Sequence, residues 1–156
     1  MGNIKHSTTV TVPVEVAFGY IDNYRNVPSW MFGISRFDPV GDRDQGLGAV
    51  FDASIKLGPK TLHIRTEVTE HVPNERIAMT SIKGLESTVL VTLMPQGSAA
   101  AELTMEIGYK LPSGFAGKAL GTIIDAVVGP GMRYTEHHLV REIEAFGASG
   151  AVGKSD

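Results

Sequence analysis

The chain has 156 residues, a formal net charge of −3 and no cysteine. That length fits one domain with a sizeable core. The missing cysteines exclude disulfides, a thiolate nucleophile and cysteine metal sites. Mild acidity without a lysine or arginine cluster argues against nucleic acid as a partner. No apolar run is long enough to span a bilayer. The first residues lack the charged-then-apolar layout of a secretory leader. Met1-Gly2 is not followed by Ser or Thr at position 6, where His6 stands, so myristoylation is not expected either. The expected location is the cytoplasm.

In chain order, Asn3 to Val12 predicts a first strand from Ile4, Thr8, Val10 and Val12, ended by Pro13. Pro13 suits the first turn of a helix because it has no amide hydrogen to leave unpaired. Glu15 sits well near the positive helix end. Val16, Tyr20 and Tyr24 recur every four residues and predict one stripe on a short helix, although a valine at the cap position is a weak start signal. Asn26 to Met31, with Pro28 and Trp30, predicts a second short turn or helix.

Six strands are then expected. Ile34 to Val40 runs into the turn-rich Gly41-Asp42-Arg43-Asp44. Gly48 to Leu57 alternates, with Phe51, Ala53, Ile55 and Leu57 opposite Asp52, Ser54 and Lys56. After the turn Gly58-Pro59, Thr61 to Glu70 sets Leu62, Ile64, Thr66 and Val68 against His63, Arg65, Glu67 and Thr69. Pro73-Asn74 leads into Arg76 to Lys83, and Gly84 precedes Ser87 to Leu93. Pro95-Gln96-Gly97-Ser98 turns the chain into Ala99 to Tyr109, where Ala101, Leu103, Met105, Ile107 and Tyr109 oppose Glu102, Thr104 and Glu106. Strict alternation and short connections predict an antiparallel sheet with one dry face.

Ser113 to Phe146 predicts one long helix. Its first half carries the stripe Leu120, Ile123, Ile124, Val127 and Val128; its second carries Met132, Leu139, Ile143 and Phe146. At ~100° per residue the stripes differ by roughly a quarter turn. The break falls at Gly129-Pro130-Gly131, where proline removes a hydrogen bond and crowds the preceding turn. A kink is expected there, with a hinge that opens a pocket as the functional alternative. Gly147 is a natural stop, and 148–156 reads as a disordered tail, leaving one domain over 3–147.

The motifs Val12-Pro13-Val14-Glu15, Asn23-Tyr24 then Pro28-Ser29-Trp30, and Gly46-Leu47-Gly48 come in a familiar order. Glu67-Val68-Thr69-Glu70, Pro73-Asn74-Glu75-Arg76 and Leu93-Met94-Pro95 continue it, with Ser98-Ala99 where many relatives have Gly-Thr. From about Asn3 to Phe146 the chain resembles the START-like (SRPBCC) superfamily, with its birch-pollen-allergen-like, lipid-transfer and polyketide cyclase/dehydrase members. The resemblance implies an α+β helix-grip fold. In that fold a curved seven-stranded antiparallel sheet wraps a long kinked C-terminal helix, with two short helices after the first strand. It also implies a deep pocket for a sterol, lipid, polyketide or other apolar molecule.

Chemistry has few signatures. His137 and His138 are adjacent, point ~100° apart on a helix, and read as solvated face residues. His63 shares the polar side of its strand with Arg65 and Glu67. There is no His-Glu-x-x-His, no Gly-x-Ser-x-Gly and no phosphate loop, so neither a metal nor a cofactor is expected. Asp52 and Glu67 lie on polar faces and suit solvated pairing with Lys56 or Arg65 rather than acid/base work.

The expected inward apolar set is Phe51, Ile55, Leu62 and Ile64 on two strands, then Met79, Val91 and Met105 on three more. Leu120, Ile124, Val127 and Met132 add the terminal helix. Thr66, Ser81, Tyr109, Thr135 and the indole of Trp30 are the inward polar groups, suited to orienting a ligand in an apolar pocket. Trp30 reads equally well as a core anchor or as a lid. The leading expectation is a carrier or sensor of a hydrophobic small molecule, such as a lipid, isoprenoid or polyketide. The alternatives are a polyketide cyclase/dehydratase-type enzyme and a protein-interaction module. No protein partner can be named from the residues.

Overall fold

The structure is a computed structural model that describes residues 2–31, 33–57, 60–110 and 137–147. Strand β1 (Gly2–Val10) is followed by helix α1 (Val14–Ile21), a 3-10 turn (Tyr24–Asn26) and helix α2 (Val27–Trp30). Strands β2 (Ile34–Pro39), β3 (Val50–Leu57), β4 (Lys60–Val72), β5 (Arg76–Gly84), β6 (Glu86–Pro95) and β7 (Ala101–Lys110) come next. Helix α3 covers 137–146. The seven strands form one antiparallel sheet in the order β1-β7-β6-β5-β4-β3-β2, curled into a half-barrel. This is the helix-grip arrangement that the sequence predicts. The Gly129-Pro130-Gly131 break and the 148–156 tail lie outside the described residues.

Alternation sets the faces. Across the ladders Leu103 stands opposite Leu93, Met105 opposite Val91, Val91 opposite Ile77, Met79 opposite Val68, and Thr66 opposite Phe51. These positions make the concave face, and most are buried in one core with α1, α2 and α3. Register shifts bend the sheet: Ile82 is an extra residue on β5 opposite the Arg65–Thr66 step, and Thr69 is an extra residue on β4. The first bulge leaves Ile82 outside the ladder and 54% exposed.

Helix α1 differs from the four-residue stripe. Its buried residues are Val14, Ala17, Phe18, Tyr20 and Ile21. Val16 is only half-buried, and Tyr24 falls beyond the helix in the 3-10 turn. A step of four overshoots a full turn by about 40°, so the packed face follows steps of three and four. The N-cap is Pro13, one residue later than the valine, and no side chain caps the helix.

Strand β1 stops at Val10 because Thr11 leaves the ladder for α3. The Glu144 carboxylate accepts from the Thr11 amide at 3.0 Å and from Thr11 Oγ1 at 2.6 Å. Leu139 and Ile143 are fully buried on the same helix, and the Phe146 ring lies 5.6 Å from Tyr20. Gly147 is buried beside them. A Cβ there would stand 2.7 Å from Val12 Cγ1, so close packing accounts for this glycine. The hydrogen bonds from Thr11 hold the Glu144 carboxyl below the usual carboxylate range. Its stabilising contribution is therefore present above that range and lost as pH falls through the depressed folded value. Glu144→Gln should cost about 1 kcal/mol at pH 7 in urea titrations. The gap from the unsubstituted protein should close toward pH 3.

Candidate functional site

A cavity of about 40 Å³ lies between the concave face and the segment that carries α1 and α2. Phe37, Phe51, Val68, Ile77, Met79, Val89 and Val91 supply its sheet wall. Ile21, Tyr24, Val27 and Trp30 supply the opposite wall. The aromatic rings are mutually braced: Phe37 stacks on Phe51 at 4.7 Å, and Tyr24 leans on Phe51 at 5.7 Å. The Arg25 guanidinium covers the Tyr24 ring at 4.8 Å. Trp30 is 2% exposed, which places it in the core rather than over an opening. Among the described residues its Nε1 is the buried side-chain polar atom with no hydrogen-bond partner.

One wall is polar. Asp22, at the C-cap of α1, lines the cavity together with Asp44, Gln45 and Gly46 from the β2–β3 connection. Gln45 donates from Nε2 to Asp22 Oδ2 at 2.6 Å, and His71 donates from Nε2 to Asp22 Oδ1 at 3.0 Å. The side chains of His71 and Asp22 are only 17% and 11% exposed. The Phe18 ring meets the imidazole edge-on at 5.5 Å. Beyond this wall, burial and the nearby Glu142 charge push the Tyr20 phenol up to about 12, so it stays neutral at physiological pH.

Of the residues expected to face a ligand, Trp30, Phe51, Met79 and Val91 line this cavity. Thr66, Ile64 and Met105 are buried on the same face without lining it. Ile55 and Leu62 are register partners, half-buried toward the far end of β3 and β4. Ser81 Oγ accepts from the Ser87 amide at 2.9 Å, which fastens β5 to β6 where their ladder ends. Tyr109 stands opposite Ser87 and is half-buried. Leu120, Ile124, Val127, Met132 and Thr135, and the proposed hinge Gly129, Pro130 and Gly131, lie outside the described residues.

The outer face behaves as its alternation implies. Arg65 grips Asp52 with two hydrogen bonds of 2.8 and 3.0 Å, and this hydrogen bonding holds the Asp52 carboxyl below its usual range. His63 Nδ1 lies 3.2 Å from Ser54 Oγ. Among the described residues no group of three or more His, Asp or Glu is placed to hold a metal ion. No described helix is long and apolar enough to cross a membrane.

Asp22, Gln45 and His71 carry no motif, and alternation hides His71. Counted from Val68 in steps of two, the inward residue would be Glu70. The extra Thr69 shifts the parity, so His71 pairs with Ile77 and turns inward.

Solved structures share this architecture at low identity. The ZhuI aromatase/cyclase of Streptomyces sp. R1128 aligns at a TM-score of 0.73 and 13% identity, over 96% of this chain and 97% of that one. A START superfamily protein of Mycobacterium smegmatis aligns at 0.71 and 13%, over 92% and 98%. A norcoclaurine synthase of Thalictrum flavum aligns at 0.64 and 12%, over 91% and 93%. At such identities the likeness is one of fold. No curated protein matches by sequence. The family described as polyketide cyclase / dehydrase and lipid transport matches residues 1–144, and the chain belongs to it.

Proposed function

We propose that the protein binds a hydrophobic small molecule on the concave face, as a carrier or a sensor. The observation that carries this reading is the unfilled cavity bounded by Trp30, Phe51, Met79 and Val91. Protein interiors rarely leave such space, and apolar space of this kind is where apolar ligands bind. At about 40 Å³ the void takes only one end of a drug-sized molecule. The rest lies along the half-buried Ile34, Ile55, Leu62 and Ile107. Met79 lets the wall adapt to different shapes. Thr66, Ser81 and Tyr109 are the polar groups on that face that would orient the ligand. The family's lipid-transport description points the same way.

Native mass spectrometry of gently purified protein tests the reading. A co-purifying apolar species, released by organic solvent, is the expected result. Its absence, together with no binding across a panel of lipids and isoprenoids, overturns the proposal.

A polyketide cyclase-type enzyme is the second reading. It is favoured by the hydrogen-bonded Asp22–His71 pair beside the cavity, the kind of pair that can hold or move a proton. Turnover of an aromatic polyketide precursor that is lost in His71→Gln, with ligand affinity retained, would decide for it.

A further inference from the structure

The outer face of the sheet is not evenly charged. The sequence has no run of basic residues, yet strand pairing gathers five cations at one corner of β2 to β5. Asp38, Asp52, Arg65 and Lys83 follow one another across the four strands, and Arg36, Ser54 and His63 form the next outward row. Lys56 stands opposite Thr61 one row further, and Lys60 opens β4 opposite Leu57. Three strand spacings and five residues of β4 make this corner roughly 14 by 17 Å. Its five cations, Arg36, Lys56, Lys60, Arg65 and Lys83, meet two carboxylates, Asp38 and Asp52. Glu67 and Glu86 stand at its borders, Glu86 opposite Lys110. A corner of +3 in a chain of −3 leaves −6 on everything else.

The two carboxylates are already taken. Arg36 pairs with Asp38, and Arg65 holds Asp52 through two hydrogen bonds. Lys56 and Lys83 are exposed and join no ion pair among the described residues. Beside Lys83, the bulge residue Ile82 holds an aliphatic side chain 54% exposed. One exposed isoleucine by itself needs no explanation. Set among lysines with flexible apolar stems, it matches the mixed basic and apolar surface that settles into a lipid headgroup layer. Nucleic acid is the poorer fit, because no Phe, Tyr or Trp stands at these outward positions to stack on bases. The acidic groups Asp42, Asp44, Glu70 and Glu75 belong to the opposite end of the sheet, ~30 Å along β4. The Debye length is about 8 Å in physiological salt, so that end is screened while the corner acts as one charge cluster.

We infer that this outer corner docks the protein reversibly on an anionic lipid surface, with Lys56 and Lys83 facing the headgroups and Ile82 entering between them. The inference does not rest on the carrier reading, since the outer face meets a bilayer whether or not the cavity is filled.

Flotation of the full chain with phosphatidylcholine vesicles, with and without a third of phosphatidylserine, tests the docking. A surplus of three charges should give about a hundredfold stronger partitioning onto the phosphatidylserine vesicles, at about fivefold per charge near the surface. The preference should fade as salt is added. Lys56→Gln and Lys83→Gln should each weaken it about fivefold. Ile82→Ser should weaken partitioning severalfold while leaving the salt dependence as it was. Lys5→Gln removes the same charge from the edge strand β1, opposite Glu106 and outside the corner, and should change nothing. All four are surface substitutions that leave folding intact. Equal partitioning onto the two kinds of vesicle overturns the inference, and so do equal losses from Lys5→Gln and Lys83→Gln. Retention on heparin without vesicle binding overturns it too, because the corner would then be a site for a polyanion. None of these results bears on ligand binding in the cavity.

Discussion

Gly84→Ala is expected to destabilise the protein by about 3 kcal/mol or more, the range of a strained backbone with no room to relax. Gly84 has φ +87°, a conformation that an L side chain rarely adopts. A Cβ at this position would lie 2.1 Å from the carbonyl oxygen of His63 and 3.3 Å from the Ile64 Cα, both backbone atoms of β4. A flexible side chain could move aside, but a ladder strand cannot. Gly84 closes β5 opposite Ile64, just past the bulge at Ile82. Any relief would have to pull β5 off β4, the strand pair that carries Thr66, Val68 and Met79. Urea titrations measure the loss directly. On the thermal scale it corresponds to roughly 6–12 °C for a chain of this size. A loss below 1 kcal/mol would mean that β4 and β5 do not approach as closely as described.

Trp30→Ala should cost about 3–5 kcal/mol, because it removes a large side chain from a position that is 2% exposed. Trp30 sits at the end of α2, beside Val27 on the cavity wall, and belongs to the main core cluster. Its removal would enlarge the cavity and loosen the wall that Tyr24 and Phe51 brace. Trp30→Phe should cost less, since an aromatic ring remains and the unpaired N–H goes with the indole. A lid over an opening would behave differently, with stability barely changed and ligand affinity falling. The burial of Trp30 predicts the stability effect.

Much of this architecture is legible from alternation. Phe51, Thr66, Met79, Val91 and Met105 all face inward as their spacing demands, because each strand has one dry face. Bulges are where the reading runs out. The extra Thr69 brings His71 onto the inward face, against the parity counted from Val68, and no local motif announces it. Asp22 and Gln45 are 23 residues apart, and only the return of the β2–β3 connection onto the end of α1 brings them together. This hydrogen-bonded cluster thus depends on tertiary pairing, which periodicity does not encode. Gly84 and Gly147 show the same limit. One answers to a positive φ against a neighbouring strand, the other to the close approach of Val12. Sequence position alone suggests only a turn and a helix stop.

Xenon pressurisation of crystals tests the central claim most directly, because a dry apolar void takes up xenon without any knowledge of the natural ligand. The account predicts a xenon atom among Trp30, Phe51, Met79 and Val91, with strands β4 to β6 unmoved. Crystals with no xenon there, and with side chains of those four residues meeting at van der Waals distance, would contradict it.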